Sequence, residues 1–367
     1  MKKKLVNIIV IACFAVVTAG FMLANIATTD QDFSFSERRK LAQPPEFASG
    51  KLWSGELFEE CEEYFLDQFA LRDMFRGFKA YVKLFLLNQK DNNDMYIKDG
   101  HIIKIEYPLK EQSIINAAAK FTKIYQKYLQ DSNVYYSVVP DKNYFTGHQN
   151  GHLSMDYDRM INLLKQNISD MEYIDIFTEI ALEDYYKTDI HWSQDKIIGV
   201  ADKLLKAMES GTLASETSYI KLELSPFFGS CYGHAALNIR PDILTYLTNP
   251  AIENAVVFDF ETETYSNVYV PEYFKNVDPY DVFLSGAKAL ITIDNPKAAN
   301  DRELIIFRDS FASSLAPLLL HDYSRITMVD LRYITTDLVG EYVEFTPGSD
   351  VLFLYGTQVL NNSAMLK

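Results

Sequence analysis

Hydrophobic and polar positions along the chain fall into distinct regimes. Residues 5–24, LVNIIVIACFAVVTAGFMLA, are apolar almost throughout, with Asn7 the one strongly polar side chain. Twenty such residues at ~1.5 Å rise each can just cross a hydrocarbon core of about 30 Å, so the stretch predicts a membrane-spanning helix. Residues 28–50, TTDQDFSFSERRKLAQPPEFASG, are polar, contain Pro44-Pro45 and read as a linker. Apolar residues then recur at three-to-four spacing over 51–90, which predicts helix interrupted at Gly77. MYIKDGHIIKIE, 95–106, alternates around Asp99-Gly100 and reads as a hairpin.

From about residue 110 the pattern switches between two periods. Helical spacing marks 110–130, 156–168 and roughly 194–208, the last with Ser193 as its N-cap. Short apolar runs mark strands at 133–139, 171–177, 289–293, 303–307, 325–330 and 350–355. Between them, 210–285 is rich in scattered Gly, Pro, Asn and Tyr and reads as an irregular insertion. Apolar strands alternating with helices imply an α/β fold with a mostly parallel sheet covered on both faces. The organisation expected is an anchor over 1–27, a linker over 28–50 and one globular body over 51–367.

Composition sharpens this picture. The chain holds 35 Lys+Arg against 50 Asp+Glu, and removing Lys2, Lys3 and Lys4 leaves 32 against 50 for the rest. Such a balance argues against nucleic acid and anionic lipid as partners. The apolar stretch lacks a good small-x-small cleavage site, which favours an uncleaved anchor over a signal peptide. Val10-Ile11-Ala12-Cys13 resembles a lipoprotein site but lies too early in the run. Lysines before the span and Arg38-Arg39-Lys40 after it nearly balance. The body is placed outside the cytoplasm because a four-residue tail rarely carries a protein outward. Cys61 and Cys231, the cysteines outside the anchor, are expected to stay unpaired.

The candidate chemistry lies at strand ends, where open α/β sheets build their sites. The strand at 303–307 runs into Arg308-Asp309-Ser310, and a helix follows at once. Ser310 therefore sits near a helix N-terminus, whose free N–H groups and dipole favour an oxyanion. A serine nucleophile needs a base, and the base an orienting acid. TDIHWS, 188–193, offers His191 and Asp189 for those roles, two apart and so on one side of an extended segment. Asp309-Ser310 also reads as an ordinary helix cap, Asp189 and His191 as a surface pair, and Trp192 as packing. Lys142, in Pro140-Asp141-Lys142 after 133–139, and Arg332, after 325–330, should share the rim. No third ligand accompanies Asp189 and His191, so neither metal nor cofactor is expected.

In order along the chain, several segments resemble the bacterial DHHW family and the related, SGNH-hydrolase-like alginate O-acetylation proteins. They are ERRKLAQPPEF (37–47), YFLDQFALRD (64–73), VVPDKNYF (138–145), TDIHWS, YDVFLSGAKALITI (280–293), RDSFASSLAPLL (308–319), ITMVDLRYI (326–334) and DVLFLYG (350–356). The resemblance implies a three-layer α/β/α SGNH-like domain tethered to the membrane, with Asp189, His191 and Ser310 as triad. It further implies a carbohydrate O-acetyltransferase or acetylesterase acting on extracellular polysaccharide, often beside a multi-spanning membrane O-acyltransferase. Two departures stand out. Ile190 replaces the family's first histidine, and Arg308 stands where SGNH esterases carry Gly. Arg308 would crowd the oxyanion pocket or bind substrate, beside Asp309, and these departures favour the alternative of a non-catalytic glycan-binding or assembly protein. For oxyanion donors, the Ser310 N–H is the first choice, with Gly229 or Gly286 as a second.

Overall fold

The computed structural model describes every residue except Met1, Phe35, Asn238 and Ala299, and of Lys2 the backbone alone. By contact the chain divides into two units, Met1–Asn92 with Gly233–Asn238, and Asn93–Tyr232 with Ile239–Lys367. The helices of 51–90 thus cluster with the N-terminal segment.

The first unit begins with α1 (Lys2–Ala27), a helix long and apolar enough to cross a membrane, of mean hydropathy 2.5. A short ladder follows, β1 (Phe33–Ser34) with β2 (Arg39–Lys40). Then come α2 (Ser49–Ser54), α3 (Glu56–Asp67), α4 (Arg72–Tyr81) and a π turn over Val82–Leu86. Gly77 lies inside α4 and interrupts nothing. One break falls at Gly55, whose φ of 87° suits a residue without Cβ. Another falls at residues 68–71. The segment expected to be a plain linker is pinned by charge. Glu37 receives Arg39 at 2.7 Å and Arg76 at 2.6 Å, and Arg39 also reaches Asp67 at 2.5 Å. The hydrogen bond from Arg39 holds the Asp67 carboxyl down at about 2.

The second unit opens with the hairpin of β3 (Met95–Lys98) and β4 (His101–Lys104), whose turn residues Asp99 and Gly100 both have positive φ, as a two-residue turn that follows strand twist requires. Then follow α5 (Glu111–Tyr128), β5 (Asn133–Val139), α6 (Lys142–Thr146), α7 (Tyr157–Asn167), β6 (Glu172–Tyr173) and α8 (Ile198–Ala207). The region expected to be irregular holds β7 (Ile220–Phe227), α9 (Ser230–Ala235, whose residues from Gly233 on count with the first unit), β8 (Asp242–Thr248), α10 (Pro250–Asn254), β9 (Val256–Asp259) and β10 (Thr264–Asn267). The unit closes with β11 (Leu290–Asp294), β12 (Glu303–Arg308), α11 (Phe311–Leu319), β13 (Arg325–Val329), α12 (Val339–Tyr342), β14 (Asp350–Gly356) and α13 (Thr357–Leu360).

Eight of these strands form one sheet in the order β10-β9-β11-β13-β12-β14-β5-β6. From β13 to β6 every pairing is parallel. β11 runs antiparallel between β13 and β9, and β10 antiparallel beside β9. Side chains of the central strands alternate between two cores. Leu304, Ile306, Leu352 and Leu354 pack with α8 and α11 residues such as Leu204 and Leu315. Ile305, Phe307, Val351 and Phe353 pack with α5 and α7 residues such as Phe121 and Leu164. Burial on both faces is why these strands read as unbroken apolar runs. Because β5, β12, β13 and β14 are parallel, the residues after them gather along one edge of the sheet.

Candidate active site

The turn from β12 to α11 takes two residues, Asp309 and Ser310. Asp309 is buried, and its carboxylate accepts the Phe311 N–H at 3.1 Å and the Gly356 N–H at 2.6 Å, tying the helix start to the end of β14. Burial pushes its pKa up. Ser310 is half-buried at the head of α11. Among the described residues its backbone N–H meets no acceptor.

Opposite stands the loop carrying Asp189 and His191. It is no extended segment. A bridge between Tyr185 and Trp192, with the Tyr186 N–H donating to the His191 carbonyl at 3.0 Å, closes it into a tight bend. Asp189 Oδ1 accepts the His191 backbone N–H at 3.0 Å, a side chain bonding two residues ahead as Asp does in turns. The same oxygen lies 2.6 Å from His191 Nδ1. His191 Nε2 lies 2.7 Å from Ser310 Oγ. One hydrogen-bonded line therefore joins carboxylate, imidazole and hydroxyl across 119 residues of sequence.

The surroundings fix this line. Asp189 Oδ2 accepts the Ser230 N–H at 2.6 Å. Asp242, at the start of β8, accepts from the Lys187 N–H at 2.9 Å, the Thr188 N–H at 2.7 Å and the Thr188 hydroxyl at 2.6 Å. The His191 ring lies flat on Tyr280, 3.9 Å between centroids and 7° between planes, with Phe311 edge-on at 5.1 Å. The Tyr280 hydroxyl donates to Ser314 Oγ at 2.8 Å, and Trp192 Nε1 donates to the same oxygen at 2.9 Å. Burial raises the Tyr280 pKa, so the stacked ring stays neutral. None of Tyr280, Ser230, Asp242 or Ser314 was singled out from sequence. Tyr280 opens the segment 280–293 that carries part of the family resemblance, which was the available signal.

Other candidate residues take different places. Trp192 is fully buried packing. Lys142 is buried, with Nζ donating to the carbonyls of Tyr186 at 3.1 Å and Lys187 at 3.3 Å, so it braces the loop; burial lowers its pKa. Arg308 does not reach a pocket. It is fully buried, donates to Ser313 Oγ at 3.2 Å, and lies 3.9 Å from Asp330, its pKa lowered by burial. Arg332 grips the same Asp330 through Nε at 2.9 Å and Nη2 at 2.6 Å. The two glycine amides are both occupied. Gly229 N–H donates to Thr188 Oγ1 at 2.9 Å, and Gly286 N–H to the Phe283 carbonyl at 3.1 Å. Gly229 serves instead by lacking a side chain, since a Cβ there would collide with the backbone of Asp189.

No protein-family model matches the sequence, and no curated protein matches it either. Solved structures do. A DHHW family protein from Eubacterium siraeum superposes with a TM-score of 0.60 at 20% identity, covering 75% of this chain and 94% of that one. The chain has the fold of that DHHW protein. Bacillus cereus PatB1, solved with a sulfonyl adduct, shares it with a TM-score of 0.58 at 18% identity over 72% of this chain and 97% of its own. The O-acetyltransferase domain of Pseudomonas putida AlgJ aligns more loosely, with a TM-score of 0.44 at 12% identity over 73% of this chain and 92% of its own. The DHHW fold accounts for the sheet, while the site within it rests on the distances above.

Proposed function

We propose that the chain is a membrane-anchored, extracytoplasmic acyl-ester enzyme of the DHHW family, a carbohydrate O-acetyltransferase or acetylesterase. Its second unit would be the three-layer SGNH-like domain. The observation that carries this reading is the line Asp189–His191–Ser310, with both ring nitrogens of the imidazole engaged.

Ser310 Oγ attacks the carbonyl carbon of an acetyl ester while His191 Nε2 takes its proton. Asp189 holds Nδ1–H and stabilises the imidazolium that results. The oxyanion forms at the head of α11, facing the Ser310 N–H and the positive end of the helix dipole. When the intermediate collapses, the leaving alcohol takes the proton from His191 and the acetyl stays on Ser310. A sugar hydroxyl then gives its proton to His191 and attacks the acyl carbon, which returns Ser310 to the hydroxyl form and leaves the sugar acetylated. Water in that role gives acetate. An acyl-supplying multi-spanning membrane O-acyltransferase and an extracellular polysaccharide acceptor are the partners that fit. The sulfonyl adduct of PatB1, a protein of the same fold, supports the reading that this fold can carry a group reactive toward electrophiles. The occupied amides of Gly229 and Gly286 favour a second reading, a glycan-binding protein that does not turn over.

Purified full-length protein incubated with an aryl acetate tests the proposal. Turnover should fall by about 10³-fold or more in Ser310→Ala. Equal rates in both proteins would overturn it, and retained polysaccharide binding without turnover would favour the second reading.

A further inference from the structure

The helices after α1 turn apolar side chains outward. Leu71, Met74, Phe78, Tyr81, Phe85 and Leu86 recur at helical spacing along α4 and the π turn, and each is 56–69% exposed. Ala80 is the one buried residue of α4. An amphipathic helix ordinarily buries such a stripe in a core, and a contiguous exposed patch of this kind marks an interaction surface.

Its attachment says what covers it. Phe21 of α1 stacks on Phe69 with 5.6 Å between ring centroids and packs against Phe75 at 5.5 Å. Asn25 Oδ1 accepts the Ala70 N–H at 2.6 Å. α1 has 26 residues, about 39 Å at ~1.5 Å per residue. That exceeds a hydrocarbon core of about 30 Å; with the apolar residues 5–24 in the core, Asn25–Ala27 emerge at the membrane surface and Phe21 lies one turn beneath it. α4 is therefore held at the depth where aromatic residues gather. The charges nearby are mixed. Lys79 is exposed, and α3 exposes Glu56, Glu59, Glu62 and Glu63. The attraction is then apolar burial rather than pairing with anionic headgroups.

We propose that α4 and Val82–Leu86 lie in the interface of the bilayer that α1 crosses, with the stripe from Leu71 to Leu86 in the acyl-chain boundary. This second contact lays the first unit flat on the membrane instead of leaving it on a single stalk. It rests on α1 being retained as an anchor and is independent of the acyl chemistry.

The test places single spin labels on the full chain in phosphatidylcholine nanodiscs, with Cys13 and Cys61 replaced by Ser and the buried Cys231 left in place. Labels go at Phe78→Cys, Leu86→Cys and, as an exposed control in the other unit, Lys165→Cys. At 78 and 86, oxygen collisions should exceed those of a water-soluble nickel chelate several-fold, with the order reversed at 165. Free access of the chelate at 78 and 86 would overturn the proposal. So would exclusion of both reagents, which would mean that protein, a second copy or another partner, covers the stripe. Intact mass of the reconstituted chain verifies that α1 is present, so loss of the anchor and failure of the interfacial contact are told apart.

Discussion

Two polar constellations start from the end of β12, two residues apart in sequence, and they are built in opposite ways. Around Arg308 the charges are closed on one another, with only Arg332 reaching the margin at 16% exposure. Arg308 and Asp330 are both 0% exposed, and Asp330 is gripped a second time by Arg332. Around Ser310 burial is graded. Asp189 is 0% exposed, His191 6%, and Ser310 half-buried. Both sets pair charged or polar groups at strand ends, so residue type does not separate them. What separates them is a gradient of access that ends on a half-buried hydroxyl, against a set of charges paired with one another. The first arrangement can do chemistry on a molecule that arrives; the second can only hold the sheet and helix together.

Breaking each constellation should therefore move different observables. The largest effect is expected from His191→Ala, which removes the proposed base. Aryl acetate turnover should drop by about 10³-fold or more, while the urea unfolding midpoint stays close to that of the native chain. Gly229→Ala comes next. The added methyl must displace Asp189, and a shift near 1 Å at a reacting group costs about 100-fold in rate, so kcat should fall by that order with the fold retained on circular dichroism. Arg308→Ala should do the reverse. It opens a cavity and removes a buried charge, at about 3 kcal/mol of stability by urea unfolding. Because Asp330 keeps Arg332, turnover per folded molecule should stay within about tenfold of native.

A smaller effect concerns Asp141, after β5. Burial pushes its carboxyl up to about 6, although Thr357 and Tyr157 donate to it. A carboxyl with a raised folded pKa binds its proton more tightly when folded. Its contribution is fully present below the unfolded pKa near 3.8 and is lost as pH rises through about 6. Relative to Asp141→Asn, the native chain should lose at most about 3 kcal/mol between pH 4 and pH 7. Unfolding midpoints of both proteins across that window check the sign.

Sequence carried the sheet and the three principal side chains a long way. Strands 303–307 and 350–355 were legible because burial on both faces leaves unbroken apolar runs, and Ser310 because its strand passes into a helix within two residues. The direction of β11 was not legible, since an apolar strand looks the same in either orientation. Nor was the ladder of β7 and β8 (Ile220–Phe227, Asp242–Thr248), whose long solvent-facing β7 lacks that apolar signal. The reason Asp189 and His191 meet was also different from the one expected. Alternation in an extended segment was the sequence argument, whereas a bend held by Asp242 and by the close approach of Gly229 does the positioning. Those contacts cross 40 residues or more, and no local pattern encodes them. Arg308 misled for the same reason: its burial depends on Lys288, Ser313 and Asp330, which only the fold brings together.

The most direct measurement is the site of covalent capture. The full chain, treated with an aryl sulfonyl fluoride and digested, should carry the sulfonyl mass on the peptide containing Ser310, with labelling slowed severely in His191→Ala and absent in Ser310→Ala. Labelling at another residue, or at Ser310 with the same rate after His191 is removed, would contradict an imidazole-activated serine at the head of α11.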